Sequence, residues 1–133
     1  MNAIDPVTFE VLGHKLLQIS EEMGISYVKC SGSPVIVDAN DLNAGIMLPD
    51  GQLMVIGPFL TLHAIVLSNL VKNTITRFEG KINEGDMFIC NDPHLGPVHQ
   101  ADIATVCPLF HDGEIVAWTG ITGHQVDIGG KDP

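Results

Sequence analysis

Aromatic residues are scarce in this sequence: one Trp, one Tyr and five Phe among 133 residues. A core built from it must rest on Val, Ile, Leu and Met, and the 45 % hydrophobic content supplies them at a level that excludes a disordered chain. Basic residues are also few. Six Lys and Arg stand against sixteen Asp and Glu, for a formal charge of -10. No basic cluster occurs, which excludes nucleic-acid backbone binding and argues against docking on an anionic membrane. The acidic excess reads as ordinary solubility. Cysteine is limited to Cys30, Cys90 and Cys107. An odd number without CxxC spacing argues against a disulfide framework or zinc ribbon and fits a reducing, cytoplasmic setting. Long apolar runs are missing too. Leu53 to Ile56 and Ile65 to Leu67 are far short of a membrane span, and Met1 to Pro6 lacks the basic and apolar regions of a signal peptide.

What is present suggests one domain of α+β class, ordered as helix, β-hairpins, helix and β-hairpin. Asp5-Pro6 is a helix-start signal, with Asp as cap and Pro at the first helical position. Val7, Val11, Leu12, Leu16, Ile19 and Met23 follow at helical steps as a buried stripe ending near Gly24. Val35, Ile36 and Val37 predict a β-segment over Pro34 to Asp38. Gly45 to Leu48 and Leu53 to Ile56 flank the turn Pro49-Asp50-Gly51 and predict a hairpin. A second helix is expected from Thr61 to about Phe78, burying Leu62, Ile65, Val66, Leu70 and Ile75 and ending at Gly80. Met87 to Cys90 reads as a short strand. Asp102 to Phe110 and Ile115 to Gly123 flank Asp112-Gly113, a strong hairpin signal. The close at Gly129-Gly130-Lys131-Asp132-Pro133 is turn chemistry and not the close of a packed element, so the chain is expected to be a fragment of something larger.

Chemistry concentrates late in the chain, where four of the six histidines fall between positions 94 and 124. One unit runs from Asn91-Asp92-Pro93-His94 through His99-Gln100-Ala101-Asp102; the other is Gly123-His124-Gln125-Val126-Asp127. A hairpin closed at Asp112-Gly113 brings them together. In plain register Ala101 faces His124, which puts Asp102 and His124 on opposite faces. A one-residue bulge would set Asp102 opposite His124 and on the same face. Two imidazoles and one carboxylate then converge in a set suited to zinc, manganese or iron. The bland alternative is ordinary hydrogen-bonded loop residues. His63 reads as a core or boundary histidine, His14 and His111 as solvent-facing, and Asp38 and Asp41 as turn formers. Gly129-Gly130-Lys131 lacks the glycine and the Ser/Thr of a phosphate loop, so no ATP site is expected here.

With these motifs in hand, the whole chain resembles the hydantoinase B/oxoprolinase family. The resemblance is carried by Asp5-Pro6-Val7-Thr8-Phe9-Glu10-Val11, Glu21-Glu22-Met23-Gly24, Ser33-Pro34-Val35-Ile36, Asp50-Gly51-Gln52-Leu53, His63 and Gly85 to Pro93. It is most specific in His99-Gln100-Ala101-Asp102-Ile103 and His124 to Gly130. It implies that this chain is the N-terminal part of a larger subunit, unstable alone, and that the subunit belongs to an ATP-dependent hydrolase of cyclic amides (lactams, hydantoins, oxoproline), working in a hetero-oligomer with a hydantoinase A-type subunit that binds the ATP. It also implies a divalent metal, zinc first and manganese, iron or cobalt as alternatives, on His99, Asp102 and His124. Asp41 would be a fourth ligand, and His63, Asn91, Asp92 and Asp127 would support the site or meet substrate. Two departures bear on this. Asp41-Leu42-Asn43 stands where the family has Asp-Phe-Ser, and His94-Leu95-Gly96-Pro97-Val98 where it often has Tyr-x-Gly-Gly-Thr. The competing functions are an ATP-dependent ketone carboxylase, marked by bicarbonate entering product, and a non-catalytic scaffold for the ATPase partner.

Overall fold

The structure is a computed structural model and describes residues 4–129. The segment from Gly130 to Pro133, with the rest of the Gly129-Gly130-Lys131 turn, lies outside the described residues. Helix α1 spans Pro6–Cys30 and α2 spans Pro34–Ala39; strands β1 (Leu42–Met47) and β2 (Leu53–Ile56) precede α3 (His63–Arg77). Strands β3 (Phe88–Cys90), β4 (Asp102–His111) and β5 (Glu114–His124) follow. The five strands form one sheet in the order β2-β1-β5-β4-β3, with every pairing antiparallel. The α+β arrangement is the one expected.

Helix α3 lies on one face of the sheet. Met47, Val66, Leu67, Leu70, Val71, Ala104, Val106 and Trp118 form the buried cluster between them. Trp118 is fully buried and donates its indole N–H to the Pro49 carbonyl at 3.3 Å. The opposite face carries α1 and α2: a Cβ added at Gly123 would meet the Tyr27 ring and Ile36, whereas one at Gly120 would meet Leu67, Val106 and Met47. Neighbouring positions of β5 thus look toward different helices, as pleating requires.

The Asp112-Gly113 turn has φ of 50° and 82°. Positive values at both positions match the type I′ geometry that continues the strand twist. The ladder runs His111↔Glu114, Phe110↔Ile115 and then Leu109↔Ala117. Val116 is therefore an extra residue on β5, a bulge. Beyond it the register is displaced by one, and the ladder ends on Asp102↔His124. This is the bulged register of the two that the turn allowed.

Three expectations need correction. The Pro34 to Asp38 segment is helical, not a strand. Pro34 at the first position presets helical φ, and Asn40 stops the turn with φ of 54°. Burial of Ile36 against Gly123 outweighs the β-preference of Val35 and Val37. The buried face of α3 is also displaced: Leu62 and Ile65 are exposed, while His63, Ala64, Val66, Leu67, Leu70, Val71 and Thr74 are buried. Two overlapping stripes of similar spacing compete, and the one containing the small Ala64 packs closer to the sheet. Finally, α1 continues past Gly24 to Cys30, and Ser20 and Gly24, not its large apolar residues, are buried. Small residues let the helix lie close, as the Phe59 ring filling the space beside Gly24 shows.

Much of α1 is left apolar and open, including Val7, Phe9, Val11, Leu12, Leu17 and Ile19. These open apolar residues alternate with Glu10, Lys15, Gln18, Glu21 and Glu22 and leave hydrophobic surface that a dye can bind. No helix among the described residues is long and apolar enough to cross a membrane. Residues 1–133 produced alone are expected to bind a hydrophobic dye and melt without cooperativity. A monomer with a sharp thermal transition in calorimetry and sedimentation would contradict this.

Candidate metal centre

The site forms at the end of the sheet where β4 begins and β5 finishes. Asp102 is the first residue of β4 and fully buried. Its Oδ2 accepts the His99 backbone N–H at 3.1 Å, while its own N–H donates to the His99 carbonyl at 3.0 Å. That reciprocal pair folds the loop so that the His99 imidazole returns to Asp102, with Nδ1 3.3 Å from Oδ2. Across the ladder, His124 Nδ1 lies 3.0 Å from Asp102 Oδ1. The two imidazole rings stand edge to face with centroids 4.8 Å apart. Each of His99, Asp102 and His124 places a ligand atom within 4.8 Å of the others.

The backbone of His124 is fixed on both sides. Its N–H donates to the Asp41 carbonyl at 3.0 Å, and its carbonyl accepts from Ser33 Oγ at 2.8 Å. The next residue, Gln125, donates its backbone N–H to the Ala101 carbonyl and its side-chain amide to the Tyr27 hydroxyl. Burial pushes the Tyr27 phenol up, against a smaller opposing effect of that hydrogen bond, so it stays neutral at physiological pH. Ser33 and Tyr27 were not legible as site-building residues. Both act from remote positions in sequence, and only the Ser33-Pro34 helix start gave any local signal.

The other candidates divide. The Asp41 carboxylate, expected as a fourth ligand, lies outside that group of three and is held by His63, with Nε2 2.8 Å from Oδ1. A carboxylate only accepts, so the His63 proton sits on Nε2. His63 is 1 % exposed, and its Nδ1 is buried with no partner among the described residues, an omission that costs about 1–3 kcal/mol. Asn91 donates to the Gln100 carbonyl, Asp92 accepts from His94 N–H, and Asp127 accepts from Gly129 N–H. These three shape the loops around the site and make no hydrogen bond to the cluster. His14 and His111 are solvent-exposed, and the three cysteines are free.

The cluster suits a cation. Asp102 is a buried carboxylate whose side-chain neighbours are two imidazoles; no Lys or Arg reaches it among the described residues. A buried carboxylate needs positive charge or donors around it. Two imidazole nitrogens and a carboxylate oxygen form a donor set for zinc or a similar first-row divalent ion. His99 is more than half exposed, so one side of the cluster faces solvent.

The family described as hydantoinase B/oxoprolinase matches residues 5–133. The chain is 32 % identical over 130 residues to the 5-oxoprolinase of Dictyostelium discoideum, covering 98 % of this chain and 10 % of that protein. It is 32 % identical over 133 residues to the caprolactamase subunit beta of Pseudomonas jessenii, covering 100 % of this chain and 23 % of that protein. In structure it is similar to the ATP-dependent caprolactamase of Pseudomonas jessenii, with TM-score 0.82 and 25 % identity, covering 99 % of this chain and 23 % of that one. A nucleotide-free acetone carboxylase shares the fold, with TM-score 0.82 and 22 % identity, covering 97 % of this chain and 17 % of that one. The chain therefore spans between about a tenth and a quarter of the curated relatives described.

Asp102→Ala removes the acceptor that ties His99 to His124. Exchange of the His99, His124 and Gln125 amides, followed by mass spectrometry, is expected to quicken about 10- to 100-fold, the effect of losing about 1–3 kcal/mol locally. Amides beside the Asp112-Gly113 turn should keep their rates. Uniform quickening along the hairpin, or none at all, would contradict this assignment.

Proposed function

The chain belongs to the hydantoinase B/oxoprolinase family, and from that premise we propose that it is the metal-binding N-terminal region of a subunit of an ATP-dependent cyclic-amide hydrolase. The observation that carries the reading is the convergence of His99, Asp102 and His124 on one small volume at an open end of the sheet. The names of the relatives, 5-oxoprolinase and caprolactamase, support a lactam-type substrate class. The shared fold and the named beta subunit support a multi-subunit enzyme, and we assign ATP binding to a hydantoinase A-type partner.

The chemistry explains the division of labour. Unstrained cyclic amides resist hydrolysis, so ATP drives ring opening by converting the amide into a better leaving group. A divalent cation held by His99, Asp102 and His124, zinc or else manganese, iron or cobalt, with Asp41 as fourth donor, would supply Lewis-acid polarisation of the reacting oxygen. The chain's own residues do the positioning. Asp102 orients both imidazoles, the β4–β5 ladder fixes their spacing, and the exposed side of His99 leaves room for substrate. Asn91, Asp92 and Asp127, on the loops bordering this end of the sheet, are assigned to substrate contact.

The test is metal analysis of the complete subunit, then a panel of lactam, hydantoin and oxoproline assayed with ATP and the partner subunit. ATP-dependent ring opening should be lost on chelation and regained on adding metal back. His99→Ala, Asp102→Ala and His124→Ala should each abolish it while leaving the subunits assembled. Activity indifferent to chelation would refute the metal role. Incorporation of bicarbonate into a ketone, without ring opening of any amide, would replace hydrolysis by carboxylation.

A further inference from the structure

We infer that Asn73 is a positioning residue for His99: with Gly96 it docks the loop before β4 on α3, and so sets where the imidazole stands over Asp102 and His124. The inference rests on the metal reading proposed above and accounts for an amide that reaches from the body of a helix to a loop carbonyl.

The three clustered residues are not held alike. Asp102 and His124 pair with each other in the β4–β5 ladder, and their side chains are 1 % and 25 % exposed. His99 precedes the ladder, and its side chain is 57 % exposed. Its Nδ1 stands 3.3 Å from Asp102 Oδ2, a longer contact than the 3.0 Å between His124 and Asp102. The place of His99 therefore depends on residues 91–101, which join β3 to β4. Antiparallel neighbours such as these need only about two to five residues to close a hairpin. The extra length here runs out to α3 and back.

Three adjoining positions hold the loop there. Asn73 Nδ2 donates to the Asn69 carbonyl of its own helix at 3.0 Å and to the Leu95 carbonyl at 2.8 Å. An amide nitrogen carries two N–H groups, so both bonds form together, and the first fixes the rotamer that makes the second. Gly96 lies so close to α3 that a Cβ there would stand 3.0 Å from the Val66 carbonyl oxygen and 3.1 Å from Leu70 Cβ. Its φ is not positive, so the glycine serves close approach and not a turn. Pro97 follows, fully buried and with φ preset by its ring. Two residues later the His99 backbone closes on Asp102. The bond from Asn91 to the Gln100 carbonyl is internal to this loop and fixes its shape, not its place on α3. A segment pinned at Leu95 to Pro97 and again at Asp102 leaves the His99 imidazole little range. Without Asn73 the first anchor is packing alone, and the Leu95 carbonyl loses its partner.

The rival explanation is a tie that only stabilises α3 and its loop. The metal-stripped complete subunit is titrated with Co(II), following visible absorption and chelator competition, with thermal melting measured alongside. Asn73→Leu keeps the bulk and loses the donors. It should weaken cobalt binding about three- to tenfold, the worth of one hydrogen bond, and alter the cobalt spectrum. Gly96→Ala lifts the same loop from α3 and should act in the same direction on both readouts. Thr74→Ala is the control: Thr74 is buried one residue along α3, and its hydroxyl bonds to the Leu70 carbonyl within the helix. It should lower the melting temperature and leave cobalt affinity and spectrum unchanged. Unchanged cobalt binding in Asn73→Leu, or an equal loss in Thr74→Ala, would overturn the inference while leaving the three-residue site intact. If Asn73→Leu does not fold, Gly96→Ala read against Thr74→Ala decides by the same outcomes. Absence of cobalt binding by the unsubstituted subunit would overturn the metal reading itself, and this inference with it.

Discussion

Asp102 is a fully buried carboxylate, and no Lys or Arg reaches it among the described residues. Such a group is costly to bury, and the surrounding structure is arranged to make it tolerable. It accepts a backbone N–H from His99 and faces two imidazoles, one brought by a folded loop and one by the neighbouring strand. Those contacts require β4 and β5 to meet in one particular register. The register in turn depends on the single extra residue, Val116, which turns Asp102 and His124 to the same face. Without that bulge the side chains would alternate apart, and the sheet end would carry no site.

The rest of the fold supports this end of the sheet. Strand β1 closes on β5 and delivers Asp41 beside His124. The Ser33 hydroxyl, just ahead of α2, reaches the His124 carbonyl, and Tyr27 on α1 reaches Gln125. Helix α3 packs on the opposite face and starts with His63 above Asp41. Every layer of the chain thus contributes one contact to the same few residues, which ties the cluster to the fold as a whole. A metal bound by such a cluster would add its binding free energy to that of folding.

Much of this was legible in the sequence, for local reasons. Asp112-Gly113 specifies its turn through positive φ, and the turn brings the His99–Asp102 and His124 segments together whatever the remaining fold. The bulge was foreseeable only as an alternative, because nothing local distinguishes Val116 from its neighbours. The Pro34 segment was misread because its β-branched residues outnumber its single helix signal, and the decisive contact, Ile36 on Gly123, is remote in sequence. The α3 stripe was misplaced because Leu62 and Ile65 fit the helical period as well as the residues that are buried. The resemblance gave roles to His63 and Asp41 separately, but nothing in the sequence paired them; the link arises where a helix start meets a strand start.

The most direct measurement is anomalous diffraction from crystals of the complete subunit, collected at the absorption edge of whatever metal copurifies with it. The account predicts one strong peak among His99, Asp102 and His124, about 2.0–2.2 Å from their donor atoms as zinc or a similar ion requires. No peak there, or a peak coordinated by other residues while these three stay hydrogen-bonded to one another, would contradict it.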